Sequence, residues 1–146
     1  MPPTNELSEL QQEISHHLSQ PKRFSGEVSL DRTTRQLYST DASIYQIEPL
    51  GVVFPRSAED LSVIMELANQ LNFSVLPRGS GSSLAGQAIG EGLILDCSRH
   101  LNHILRSNPE TRTATVEPGV ILNARNHQAS LHRLQFGPDP ASAERA

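Results

Sequence analysis

Phe73-Ser74-Val75-Leu76-Pro77-Arg78-Gly79-Ser80-Gly81-Ser82-Ser83-Leu84-Ala85-Gly86-Gln87 begins as a short apolar strand and passes without a linker into a run of Gly and Ser. A loop that follows a strand directly has its position set by the sheet. Gly79, Gly81 and Gly86 free the backbone to bring N–H groups together around an anion. Ser80, Ser82 and Ser83 add hydroxyl donors, and Arg78 adds one permanent charge. Two phosphate loops are excluded. A Walker A loop needs a Gly-Lys-Ser/Thr end, and no Lys occurs between Pro77 and Gln87. A dinucleotide fingerprint needs G-x-G-x-x-G opening a helix, whereas Gly79-Ser80-Gly81-Ser82-Ser83-Leu84 lacks the third Gly and runs on into Gly86, Gly90 and Gly92. Composition alone leaves a flexible Gly/Ser connection open.

Upstream, Val52-Val53-Phe54 is an apolar run stopped by Pro55. Ser57 suits an N-cap, and Glu59 and Asp60 suit the positive end of a helix dipole. Leu61, Ile64, Met65, Leu67, Ala68 and Leu71 give that helix an apolar face, and Asn72 ends it. The whole reads as strand, helix, strand over residues 52–77, the size of a right-handed parallel crossover. Earlier still, Leu7, Leu10, Ile14 and Leu18 put one stripe on an N-terminal helix closed by Pro21. Residues 24–34 read as polar and turn-rich. Downstream, strands are expected at Leu93–Asp96, at His103–Leu105, at Thr113–Glu117 and at Leu134–Phe136, with a helix between Val120 and Leu131. The expected fold is α+β: a small mixed sheet with a βαβ start, an antiparallel continuation and flanking helices.

The chain has 146 residues, enough for one domain with a real core. Only 4% are aromatic and none is Trp, so that core must be built from Leu, Ile, Val and Ala. The formal net charge of −4 and the lack of any basic block exclude a phosphate-tracking nucleic-acid face. An anion here must be held locally, by backbone amides with or without an Arg. The single Cys97 rules out an internal disulfide and fits a reducing compartment. The start shows no basic and then apolar leader, and no run approaches the roughly 18 apolar residues of a membrane span. A cytoplasmic protein is expected, with peripheral membrane attachment through other parts of an enzyme left open.

Five segments, in order and at matching spacing over residues 38–146, carry a resemblance: Tyr38-Ser39-Thr40-Asp41-Ala42-Ser43, Val53-Phe54-Pro55, the Pro77–Gly86 loop, Glu117-Pro118-Gly119-Val120 and Gly137-Pro138-Asp139-Pro140-Ala141-Ser142. With them the chain resembles the N-terminal half of the FAD-binding domain of the vanillyl-alcohol oxidase / p-cresol methylhydroxylase (PCMH) type. Within that group it is most similar to the FAD-linked oxidases that include glycolate oxidase and D-lactate dehydrogenase. The resemblance implies residues 1–37 as an N-terminal helical extension and residues 38–146 as a truncated FAD-binding unit. It implies that Arg78, Gly79, Ser80, Gly81, Ser82, Ser83 and Leu84 wrap the FAD pyrophosphate, and that Gly86 and Gln87 pass its flavin side. Pro118 and Gly119 then form a turn beneath the cofactor, and Pro138, Asp139 and Ser142 line it. Some relatives attach flavin through a His in this loop; Ser82 and Ser83 stand there, which implies non-covalent FAD. Members continue beyond the position of Ala146 with a Thr-(Ile or Leu)-Gly-Gly segment, a second flavin subdomain and a substrate domain. The implied reaction is oxidation of a small 2-hydroxy acid such as D-lactate or glycolate by hydride transfer to flavin. A quinone, a cytochrome, an iron–sulfur partner or oxygen would then take the electrons.

No catalytic residue is assigned, because the substrate-binding Arg and catalytic His of the family lie in segments this chain does not match. The six His residues fall at no recognised ligand spacing and read as surface or satisfied core groups, so no metal site is expected. Cys97 reads as a small buried residue. Asp41 and Tyr45 approach the flavin in one reading and are a turn former and a packed ring in the other. Arg78 either pairs with phosphate or caps a local carbonyl.

Overall fold

The computed structural model describes residues 4–138. Helix α1 (Thr4–Leu18) leads into strand β1 (Glu27–Ser29), helix α2 (Arg32–Leu37) and strand β2 (Gly51–Phe54). Helix α3 (Ala58–Leu71) connects β2 to strand β3 (Val75–Arg78), and strand β4 (Leu93–Asp96) follows the Gly-rich loop. Strands β5 (Ile104–Asn108) and β6 (Thr113–Val116) and helix α4 (Leu122–Ser130) complete the described chain.

Four strands form one sheet in the order β1-β2-β4-β3. Strand β4 lies between β2 and β3 and is parallel to both, with Val52 opposite Ile94 and Leu76 opposite Ile94. The crossover β2–α3–β3 therefore spans one strand position, which β4 fills. Both β2 and β4 are buried along their whole length, as expected of parallel strands covered on both faces. Val53, Leu93 and Leu95 pack with Ile14, Leu18, Ile64 and Leu67 of α1 and α3. The alternate residues Val52, Phe54 and Ile94 form a smaller cluster on the opposite face, against Tyr38.

Helix α3 forms as its sequence predicts. The Ser57 hydroxyl accepts from the Asp60 amide at 3.2 Å, and Asn72 ends the helix in the left-handed conformation, its N–H donating to the Ala68 carbonyl. Asp60 does more than complement the dipole. It is buried and accepts from the Ser25 amide (2.8 Å), the Ser25 hydroxyl (2.9 Å) and the Arg56 amide (2.8 Å). It thus ties the approach to β1 to the start of α3.

Three expectations change. Residues 24–34 contain β1 and the start of α2, whose Asp31 cap accepts from the Thr34 amide at 2.9 Å. The antiparallel member of the main sheet is β1, ahead of the crossover; β5 and β6 pair antiparallel as a separate two-stranded sheet. Leu134–Phe136 forms no strand. Its backbone turns to α4 instead, Leu134 N–H donating to the Ala129 carbonyl and Phe136 N–H to Asn126 Oδ1.

Candidate functional site

Strands β3 and β4 end side by side at Arg78 and Asp96, and the loops leaving them open at the carboxyl edge of the parallel strands, where α/β sheets place their ligands. The loop after β3 is braced from behind by the Tyr38–Ser43 segment. Arg78 supplies most of that bracing. Its Nη1 donates to the carbonyls of Ala88 (2.9 Å) and Tyr38 (3.3 Å), and its Nη2 to the carbonyl of Thr40 (2.9 Å). The guanidinium also stacks 5.0 Å from the Tyr38 ring centroid. The side chain is thus engaged with carbonyls of the loop and of the segment behind it.

Two further contacts close the brace. The Ala42 amide donates to the Gly81 carbonyl at 3.1 Å. Asp41 accepts from the Ser43 amide at 2.8 Å and the Ala88 amide at 3.3 Å. Hydrogen bonds from the Ser43 side chain, and then from the Ser43 and Ala88 amides, hold the Asp41 carboxyl below its ordinary value. Gly81 has φ +70°, a conformation that side-chain-bearing residues avoid. Within the loop the Ser83 hydroxyl accepts from the Gln87 amide at 3.0 Å and donates to the Gln87 side-chain oxygen. Among the described residues, the amides of Ser80 to Leu84 donate to no backbone acceptor.

The loop after β4 is held by the buried Asp96. One carboxylate oxygen accepts from the Ser98 amide (2.9 Å) and hydroxyl (2.6 Å), the other from the Tyr38 hydroxyl (2.5 Å). Burial, and then Asp96, pushes the Tyr38 phenol above its ordinary range. Burial likewise raises the neighbouring Cys97 thiol, in keeping with a packed residue.

Gly119 closes the far side. A Cβ there would lie 2.4 Å from the Cys97 carbonyl oxygen and 2.8 Å from that of Leu101, so only Gly lets the two backbones meet. Its amide donates to the Leu101 carbonyl at 2.7 Å. Helix α4 starts directly after this turn, with Ile121 at its N-cap and no side-chain cap, which leaves first-turn amides open.

Together these elements enclose a groove of about 640 Å³ lined by Arg78, Gly79, Ser80, Gly81, Ser82, Ser83 and Gln87, by Pro118 and Gly119, and by Ser98, Asn102 and Ala124. Nine of the sequence-predicted residues thus meet in one place. Leu84 points outward at 82% exposure, Gly86 lies against the Tyr45 ring, and Pro138 is exposed and lines no part of the groove. Asp139 and Ser142 lie outside the described residues. Ser98 and Asn102 join the lining with no motif to mark them; the signal for them is their place just beyond the carboxyl end of a buried parallel strand. Among the described residues three histidines pair with carboxylates, His17 with Glu13 at 3.8 Å, His100 with Glu27 at 2.9 Å and His103 with Glu117 at 2.7 Å. No helix among the described residues is long and apolar enough to cross a membrane.

A family model described as FAD binding domain matches residues 49–146. The chain is 41% identical over 126 residues to D-2-hydroxyglutarate dehydrogenase of Escherichia coli (strain K12), covering 84% of this chain and 12% of that protein. It is 36% identical over 124 residues to glycolate oxidase subunit GlcD of Bacillus subtilis (strain 168), covering 82% of this chain and 26% of that protein. The chain thus spans a small part of the curated relatives it matches. A solved structure of p-cresol methylhydroxylase with substrate bound superposes with a TM-score of 0.69 at 19% identity, over 90% of this chain and 26% of that one, and so shares the fold.

Proposed function

The chain belongs to the FAD-binding domain family, and from that premise we propose that its groove holds the pyrophosphate of FAD within an oxidoreductase acting on a small 2-hydroxy acid. The observation that carries this reading is the Gly-rich loop itself: amides from Ser80 to Leu84 without backbone acceptors, braced from behind by Arg78 and facing the uncapped start of α4. Donors from two elements suit an anion in a protein whose overall charge is negative. FAD bound here would supply a two-electron acceptor for oxidation of the 2-hydroxy acid to the 2-oxo acid. The part assigned to these residues is binding and orientation. The hydroxy-acid substrate class rests on the named activities of the relatives, D-2-hydroxyglutarate dehydrogenase and glycolate oxidase subunit GlcD. Non-covalent attachment is favoured by the groove lining, which contains no His, Cys or Tyr among the described residues.

A partner-dependent reading is favoured by the apolar residues left in solvent beside the loop, Ile44 at 94% and Leu84 at 82% exposure. On that reading the chain holds half a cofactor alone and the whole only against further protein. FAD titrated into the purified chain, followed by flavin fluorescence and by the amide NMR shifts of Gly79–Ser83, tests both readings. Saturable quenching with a Kd on the order of tens of micromolar is expected. A Kd of about 1 μM or tighter would remove the partner-dependent reading, and the absence of any saturable change would remove the FAD reading.

A further inference from the structure

The groove is not uniform in hydrogen-bonding sense. The Gly-rich loop and the start of α4 offer N–H donors, whereas the loop after β4 offers acceptors. The Ser98 hydroxyl spends its proton on Asp96 at 2.6 Å. Asp96 in turn receives from the Ser98 amide and from Tyr38, and the Ser98 oxygen, its proton committed in a residue that lines the groove, keeps its lone pairs free. Asn102 is oriented the same way. Its Nδ2 donates to the Ser98 carbonyl (3.0 Å) and toward the Arg99 carbonyl (3.5 Å), which leaves the Oδ1 as its free polar atom. The adjoining turn adds no donor: Pro118 has no N–H, and the amides of Gly119 and Val120 donate to Leu101 and Glu117.

A phosphate oxygen brought against Ser98 Oγ or Asn102 Oδ1 meets lone pairs, and a hydroxyl meets free acceptors. We infer that Ser98 and Asn102 form an acceptor pair for the hydroxyl-bearing sugar portion of the ligand, and so set the direction in which a phosphorylated ligand lies in the groove. The inference rests on the FAD reading only for the ligand's identity. In FAD the hydroxyls come from two sources, the adenosine ribose and the ribityl chain, which present the same chemistry.

The experiment compares Ser98→Ala and Asn102→Ala with the wild-type chain against four probes: inorganic pyrophosphate, ADP, FMN and FAD. Binding is read from the amide shifts of Gly79–Ser83, and thermal melts confirm that each variant is folded. Each variant is expected to bind FAD roughly five-fold more weakly, the scale of one neutral hydrogen bond, and to bind pyrophosphate as the wild type does. The same loss with ADP alone assigns the adenosine ribose to the pair; with FMN alone it assigns the ribityl chain. If both variants keep wild-type FAD affinity, or lose pyrophosphate and FAD equally, the acceptor pair is overturned while the FAD reading stands. If wild-type protein binds none of the four probes, both fall.

Discussion

Gly81 lies directly against the Arg78 guanidinium: a Cβ on Gly81 would fall 2.4 Å from Arg78 Nη2, the atom that donates to the Thr40 carbonyl. The tightest turn of the loop and the cation that braces it therefore share one space. Gly81→Ala should force the backbone out of its φ of +70° and displace the guanidinium together. Left-handed strain for a non-Gly residue is about 1 kcal/mol, and the lost brace adds to it. FAD affinity is expected to fall by at least about ten-fold, measured by flavin fluorescence, with a melting temperature lower by roughly 2–8 °C.

Arg78→Lys separates charge from shape. Lys keeps the positive charge but lacks the planar fork that reaches the Tyr38, Thr40 and Ala88 carbonyls. Lowered FAD affinity and faster hydrogen exchange at the Ala42 amide are expected, because that amide reports the loop's attachment. Wild-type behaviour in Arg78→Lys would mean that charge alone suffices.

Gly119→Ala should act on the fold as well as the groove. The clash is with backbone carbonyls of Cys97 and Leu101, which no rotamer change relieves. A loss on the order of 2–4 kcal/mol is expected, seen as a lower urea midpoint with an unchanged slope.

Asp60 and Glu59 occupy the same helical turn yet should differ sharply. Asp60 is buried and accepts three hydrogen bonds that join α3 to the start of β1; Glu59 is exposed. Asp60→Ala is expected to cost about 2–4 kcal/mol, because it orphans three donors. Glu59→Ala removes solvent-exposed interactions at the helix start, with its own amide and the Ser57 hydroxyl, and should leave the urea midpoint almost where it was. Equal losses in chemical denaturation would sink this assignment.

Glu27 should give acid sensitivity a local origin. His100 first, then Arg56 and Arg99, hold its carboxyl down at about 2 from an ordinary 4.5. With the folded value depressed, the contribution to stability is complete above 4.5 and drains away as pH falls toward 2. Glu27→Gln should flatten the dependence of the urea midpoint on pH across that window. An unchanged slope would place the acid response elsewhere.

Where information is local, the sequence is readable. Helix α3 announces itself through Ser57, an apolar face and Asn72, and the Gly-rich loop through its place after an apolar strand. Elements too short to show a period escape such a reading: β1 has three residues, and α2 has six with its cap at Asp31. Leu134–Phe136 has a strand's composition, but its backbone bonds go back to Asn126 and Ala129 of the preceding helix, a folding-back that composition does not show. The same holds at the groove. That Arg78 spends its fork on carbonyls 38 and 40 residues upstream is written in topology, as is the acceptor sense of Ser98. Composition says which groups are present, but not which way their protons point.

The insertion of β4 between β2 and β3 sets an order of events during synthesis. Until residues 93–96 have left the ribosome, β2 and β3 have no common neighbour, and the Arg78 carbonyl lacks its Cys97 donor. The nascent Gly-rich loop then has only its upstream brace from Tyr38, Thr40 and Ala42, and it gains its sheet neighbour when a later strand slides into the gap. Before that point the groove also lacks Ser98, Asn102, Pro118 and Gly119, and a gene division upstream of Leu93 would separate two pieces that must complement each other strand by strand.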